Sequence, residues 1–239
     1  MLTLLLSLHA WALPAEPVLA AVDAHTELRA MRRNKNAPPI ERSVYEKAAN
    51  TGKIITGLVN VDGHAAKKAW GVGVVDVPIG AYWAAINDDE AKPKWTRLAY
   101  LEVLKGTSCE GTRRVFQFLP VSLVTDRWWV IDMHTNDALA SRSGGKVREL
   151  VWESDGDFTV TTDSAKAWAE KGMHVTSTEG SWLLTAIDDS HTLVEYYTWA
   201  DPGGAIPAGI ASRLAAGGID DTITVYVELA KKGPSCAIR

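Results

Sequence analysis

The chain has 239 residues, 46% of them hydrophobic and 23% charged, the profile of a globular protein able to bury a sizeable core, and one domain plus a leader accounts for that length. Its formal net charge is −4, with the two signs interspersed. That leaves no basic stripe of the kind a phosphate backbone requires, so nucleic acid is not an expected partner. Ten tryptophans outnumber the 6 tyrosines and 3 phenylalanines together. Side chains this large and flat line cores or apolar ligand cavities.

Leu2 to Leu8 form an apolar run too short to cross a bilayer, and Val18-Leu19-Ala20 supplies the small-residue spacing that signal peptidase accepts. A secretory leader over residues 1–20 is therefore expected, with a secreted or periplasmic product. No Lys or Arg precedes Arg29, so the positive region of a leader is missing and a cytoplasmic location is the alternative. Cys109 and Cys236 would pair in an oxidising compartment and otherwise stay as buried thiols.

Two charged, helix-compatible pieces follow, "HTELRAMRRNK" and "IERSVYEKAAN", separated at Pro38-Pro39 because proline disfavours helical geometry in the residue before it. From Gly52 the chain turns β-branched. "GKIITGLVNV" and "KKAWGVGVVDV" flank Asp62-Gly63, a hairpin signal. Ile79, Tyr82, Trp83 and Ile86 then follow helical spacing after Pro78. Beyond Trp95, seven strand-like runs at turn spacings of an antiparallel meander extend to "HTLVEYYTW". Among them, "TDSAKAWAEKG" is either a loop or a helical turn. Ile206, Ile210 and Leu214, then Ile219, Ile223, Tyr226, Val227 and Ala230, describe a long amphipathic C-terminal helix with a bend at Gly217-Gly218.

A curved antiparallel sheet followed by such a helix is α+β packing, with the helix across the concave face. The segment "YTWADPGGAIP" serves that geometry. Pro202 fixes one dihedral, Gly203 and Gly204 permit positive φ, and Pro207 suits a first helical turn, so Asp201, Pro202, Gly203, Gly204 and Pro207 are expected to form the turn that places a lid helix.

"DPGGAIP" at Asp201 to Pro207, preceded by Thr192-x-Val194-x-Tyr196 and Gly180-x-Trp182-x-Leu184, resembles the end of a START domain, the lipid-transfer domain related to steroidogenic acute regulatory protein. "GVGVVDVPIGAYWAAINDDEAKPKW" and "PVSLVTDRWWVIDMHTN" are similar to the family's upstream half. The resemblance implies a helix-grip fold over residues 21–233, with 234–239 as a tail: a curved sheet gripping the C-terminal helix around a hydrophobic tunnel. It implies binding of a lipid or other apolar molecule for transfer or sensing, with transient membrane contact and no cofactor. Asp132 and His134 stand where the family commonly carries basic residues, a departure that leaves a different ligand class open.

Strand alternation gives two faces and not their sidedness. In "TLVEYYTW" Glu195 would be costly inside a tunnel, which turns Val194 and Tyr196 inward. On the central strand Trp128, Val130 and Asp132 form one set and Trp129, Ile131 and Met133 the other. The expected lining takes Trp128, Val130 and Asp132, with Trp152, Trp182, Leu184, Val194 and Tyr196 from the sheet and Ile206, Ile210, Ile223 and Tyr226 from the helix. No nucleophile elbow, zincin motif, Walker loop or paired Cys-x-x-Cys is present. Neither a catalytic residue nor a metal ligand is therefore assigned. The alternative function is a cyclase- or hydrolase-like cavity enzyme using Asp132 and His134, which share a strand face.

Overall fold

The structure is a computed structural model, and it describes residues 12–122, 124–154, 156, 158–201 and 218–237. Three helical segments open the chain: α1 (Ala15–Ala24), α2 (Thr26–Arg29) and α3 (Arg42–Thr51). Strands β1 (Ile55–Val61) and β2 (His64–Val75) form the expected hairpin, closed where Val61 faces His64 and Gly63 takes φ +76°. Helices α4 (Ile79–Asn87) and α5 (Lys92–Trp95) lead to β3 (Tyr100–Lys105), β4 (Thr112–Leu119) and β5 (Asp126–Thr135). Then come α6 (Asp137–Arg142), β6 (Val147–Ser154), α7 (Asp163–Ala169), β7 (Gly172–His174), β8 (Ser177–Ala186), β9 (Thr192–Asp201) and α8 (Ile219–Lys232). The "TDSAKAWAEKG" segment thus resolves into helix α7, whose first turn is capped by the Thr162 hydroxyl accepting from the Ala165 amide.

One nine-stranded sheet runs β1-β2-β9-β8-β6-β5-β4-β3. Every pairing along it is antiparallel, and β7 joins off this path as a parallel partner of β5. The curved sheet has two covered faces. On one, α8 packs over β2 and β9 and α4 over β8, around Ala69, Val75, Trp182, Leu184, Val194, Ile219, Ile223 and Val227. On the other, α1 and α3 bury Val18, Tyr45, Ala48 and Ala49 against Val72, Val74 and Leu193.

The second face also buries charge. Arg29 pairs with Glu195, and its guanidinium donates to Thr185 Oγ1 (2.7 Å) and Tyr45 Oη (2.9 Å). Glu149 is fully buried, accepting from the Arg33 amide (2.6 Å), the Asn34 amide (3.2 Å) and Asn136 Nδ2 (2.8 Å). These bonds fasten the N-terminal segment to the sheet and satisfy two carboxylates that would be costly to bury alone.

The expected cut after Ala20 falls inside α1, whose Val18 is 0% exposed. The expected tail, 234–239, includes residues bound to the rest of the domain. Cys236 is buried and disulfide-bonded to Cys109, and the Ser235 amide donates to Asp88 Oδ2 (2.7 Å). No helix of the described residues is long and apolar enough to cross a membrane.

The disulfide closes a loop between residues 127 apart in sequence and ties the end of α8 to the β3–β4 connection. Such long-loop closure restricts the unfolded chain, so replacing both cysteines by serine is expected to cost about 2–5 kcal/mol in urea unfolding. Equal midpoints for the two proteins would show that the bond adds nothing.

Candidate functional site

The face gripped by α8 is built by alternation along the strands. From β9 it receives Val194 and Tyr196, from β8 Trp182 and Leu184, from β6 Leu150 and Trp152, from β5 Trp129, Ile131 and Met133, and from β4 Val115. Tyr196 lies opposite Trp182 in the register, which brings their rings into a stack 4.1 Å apart. Trp152 continues that row, 5.9 Å from Tyr196. Tyr226 of α8 meets Trp182 edge-on at 5.4 Å, and Tyr82 of α4 does so at 6.0 Å. The aromatic row therefore runs from the open sheet to beneath the helix.

Helix α8 can approach because β2 has no side chain at Gly71, where a Cβ would collide with Ile219 and meet Ile223 at 3.1 Å. The Tyr82 hydroxyl donates to the Ile223 carbonyl (3.1 Å) and fixes α4 to α8. The described helix packs over β1, β2 and β9. Across β3 to β6 the same face keeps Leu101, Val103, Trp129 and Trp152 only partly buried. Among the described residues the result is an apolar trough with one side roofed. Within it, Trp129 is partly buried, and its Nε1 donates to Gln117 Oε1 (2.9 Å), which satisfies the indole's one polar group.

Burial raises the Tyr82, Tyr196 and Tyr226 pKa values, that of Tyr196 to about 12. The three hydroxyls stay neutral at physiological pH and offer hydrogen bonds without charge. A buried ion cluster lies within electrostatic reach of Tyr226, where Asp89 adds to the upward shift. Asp89 pairs with Arg113 and accepts from Lys92 Nζ (2.5 Å), while Arg113 Nη1 donates to Asn87 Oδ1 (3.1 Å) and to the Glu110 carbonyl (2.7 Å). Burial alone would raise the Asp89 pKa, but the neighbouring Lys92 and Arg113 charges outweigh it and hold the carboxyl below its ordinary value.

Trp152, Trp182, Leu184, Val194, Tyr196, Ile223 and Tyr226 come together on this face. Trp128, Val130 and Asp132 do not. They point to the opposite face, where Trp128 and Val130 pack with Phe116, Phe118 and α7, and Asp132 takes a bidentate pair from Arg114 (2.8 and 2.6 Å). The inward set of β5 is the other one: Trp129, Ile131 and Met133. Asp132 and His134 share a face as expected, but it is the face turned away from α8, so they do not form a catalytic pair in the trough. Ile206, Ile210 and the lid residues Pro202, Gly203, Gly204 and Pro207 lie outside the described residues. Asp201 ends β9, with His64 Nδ1 at 3.5 Å. A separate cleft of about 640 Å³ lies between α1, the start of α4 and the β8–β9 turn, lined by Pro17, His25, Ile79, Lys146, Arg148 and Asp188 among others.

No group of three or more His, Cys, Asp or Glu among the described residues could hold a metal ion.

Neither a family model nor a curated protein matches the sequence. Solved structures do match the fold. Human STARD10 aligns with a TM-score of 0.61 at 11% identity, over 85% of this chain and 84% of that one. A STAR-related lipid transfer protein fragment from Xanthomonas axonopodis aligns at 0.56 and 19% identity, over 75% and 92%. Human StAR-related lipid transfer protein 5 aligns at 0.54 and 9% identity, over 92% and 95%. Sheet order, gripped helix and these alignments agree: the chain has the helix-grip fold of the START domains.

Proposed function

We propose that this protein binds a lipid or another hydrophobic small molecule in the trough between the concave face of the sheet and α8, for transfer or sensing. The observation that carries the proposal is the continuous aromatic row Trp152–Tyr196–Trp182–Tyr226, which passes from the partly open sheet to beneath the helix. Concave apolar surface with a few convergent polar groups is the ordinary form of a ligand site. The likeness to lipid transfer proteins supports it by analogy of fold alone. The Cys109–Cys236 bond supports a secreted or periplasmic setting, where disulfides persist.

Native mass spectrometry of the purified protein, followed by organic extraction, tests this reading. A stoichiometric apolar adduct is expected. A protein that arrives empty and takes up no lipid from vesicles would overturn it.

Two variants locate the ligand. Trp129→Ala removes an indole from the open side of the trough and is expected to weaken retention about tenfold. Asp132→Asn, on the opposite face, is expected to leave retention unchanged. The reverse pattern would place the ligand on the wrong side of the sheet.

A further inference from the structure

We infer that the β1–β2 hairpin is a membrane-docking element, with Leu58 and Val59 entering the interface of an anionic bilayer and Lys53 and Lys67 meeting lipid phosphates. The inference rests on the lipid-binding reading only in making that surface a place of exchange.

Among the described residues the exposed large hydrophobics are Leu58 (38%), Val59 (40%) and Met173 (38%). Two of the three are consecutive on an edge strand. Their side chains therefore point to opposite faces of the hairpin, an arrangement that a single covering helix cannot bury but a surrounding interface can.

The strand also lacks two of the usual edge protections. From Ile55 to Val61 it carries no charged residue and no proline, although edge strands are commonly blunted by both. Its pairing with β2 shifts between Val59 and Val61. That irregularity spoils the edge as a template for a further strand, which disfavours a second copy as the occupant.

Charge favours a membrane. Residues 53–68 contain Lys53, Lys67 and Lys68 against Asp62 alone, on a chain whose net charge is −4. Lys68 is occupied by Glu179 (3.4 Å), but Lys53 and Lys67 are exposed. Lysine stems beside interfacial apolar residues extend their ammonium groups to the phosphate level.

Position connects the surface to the trough. His64, at the start of β2, packs edge-on against Trp199 (4.9 Å) and lies 3.5 Å from Asp201, where β9 ends. Helix α8 begins at Ile219, over Gly71 of the same β2. The hairpin thus lies beside both the end of β9 and the start of α8.

Vesicle flotation with the full chain tests this, using phosphatidylcholine alone or mixed with phosphatidylglycerol. The expected result is binding to the mixed vesicles that high salt weakens. Lys67→Glu should lower it by at least about fivefold, and the Leu58→Asp/Val59→Asp double variant by about tenfold or more. All three positions are exposed, so melting temperatures should hold. Met173→Asp, equally exposed on β7, should bind like the parent. A parent that ignores anionic vesicles, a double variant that binds normally, or an equal loss in Met173→Asp would overturn the inference. So would a parent dimer that the double variant dissolves, which would make the edge an interface between copies. A parent that carries an apolar adduct yet ignores vesicles defeats docking alone. One that binds vesicles yet never carries an adduct defeats the lipid-binding reading alone.

Discussion

A chain beginning at residue 21 is expected to be about 3–5 kcal/mol less stable than one beginning at residue 12, measured by urea unfolding of the two proteins. The difference follows from what the first turns of α1 bury. Val18 is fully enclosed by Tyr45, Ala48 and Ala49 of α3 and by Val72, Val74 and Leu193 of the sheet, with Leu13, Ala15 and Leu19 packed around it. The Leu13 amide donates to the Ala49 carbonyl (3.0 Å), fixing where the helix enters. A cut after Ala20 removes all of these and leaves Ala21 to Ala24, a remnant too short to hold helical form on its own. Asp23, which pairs with Arg42 (2.8 Å), would then be tethered to a frayed end. Val18→Asp in the longer chain offers a point test, with a loss of at least about 2 kcal/mol expected. Matching stabilities for the long and short proteins would show that α1 merely rests on the sheet. If the protein is exported, N-terminal sequencing of the product is expected to return a start ahead of Leu13.

Much of this fold was legible because its signals are local. Asp62-Gly63 and the alternating runs beside it specify a hairpin whatever surrounds them, and the spacing of Ile219, Ile223, Tyr226 and Val227 specifies a helix with one apolar face. Glu195 settled the sidedness of β9 by the cost of burying an unpaired carboxylate, and the structure turns it outward onto Arg29. The same argument applies to Asp132. Its charge assigns Trp128 and Val130 to the outer face and turns Trp129, Ile131 and Met133 inward, so the signal was present and the expected lining went against it. The pairings of Arg29 and Glu149 were not readable, because their partners lie between 13 and 166 residues away. Only the sheet topology brings them together. The Val18 contacts were hidden for a different reason: an apolar helix that packs on a sheet and an apolar leader have the same composition.

The second large effect is expected from Asp89→Ala, which should cost about 3–5 kcal/mol and leave a protein that is hard to isolate. Asp89, Lys92 and Arg113 are 1%, 4% and 1% exposed. One carboxylate therefore serves two buried cations, and removing it leaves both unpaired at close range. Asp88 still acts on Lys92 through space, but Arg113 keeps only Asn87 Oδ1 and the Glu110 carbonyl. Replacing the whole set, with Asp89→Leu, Lys92→Met and Arg113→Met together, should recover most of the loss, because no charge then remains to be desolvated. If the triple variant is as unstable as the single one, the cluster acts through shape and not charge. Acid provides an independent check. The folded-state pKa of Asp89 lies below its unfolded value of about 3.8, so the pair stabilises the fold above that pH and the contribution is lost as pH falls through the folded value. Asp89→Asn should flatten that part of the stability curve. The triple variant also separates scaffold from site. If it folds and still retains an apolar ligand in native mass spectrometry, the cluster only anchors α4 and α5 to β4. Loss of the ligand from a folded triple variant would place these charges in recognition of its polar end, next to Tyr226.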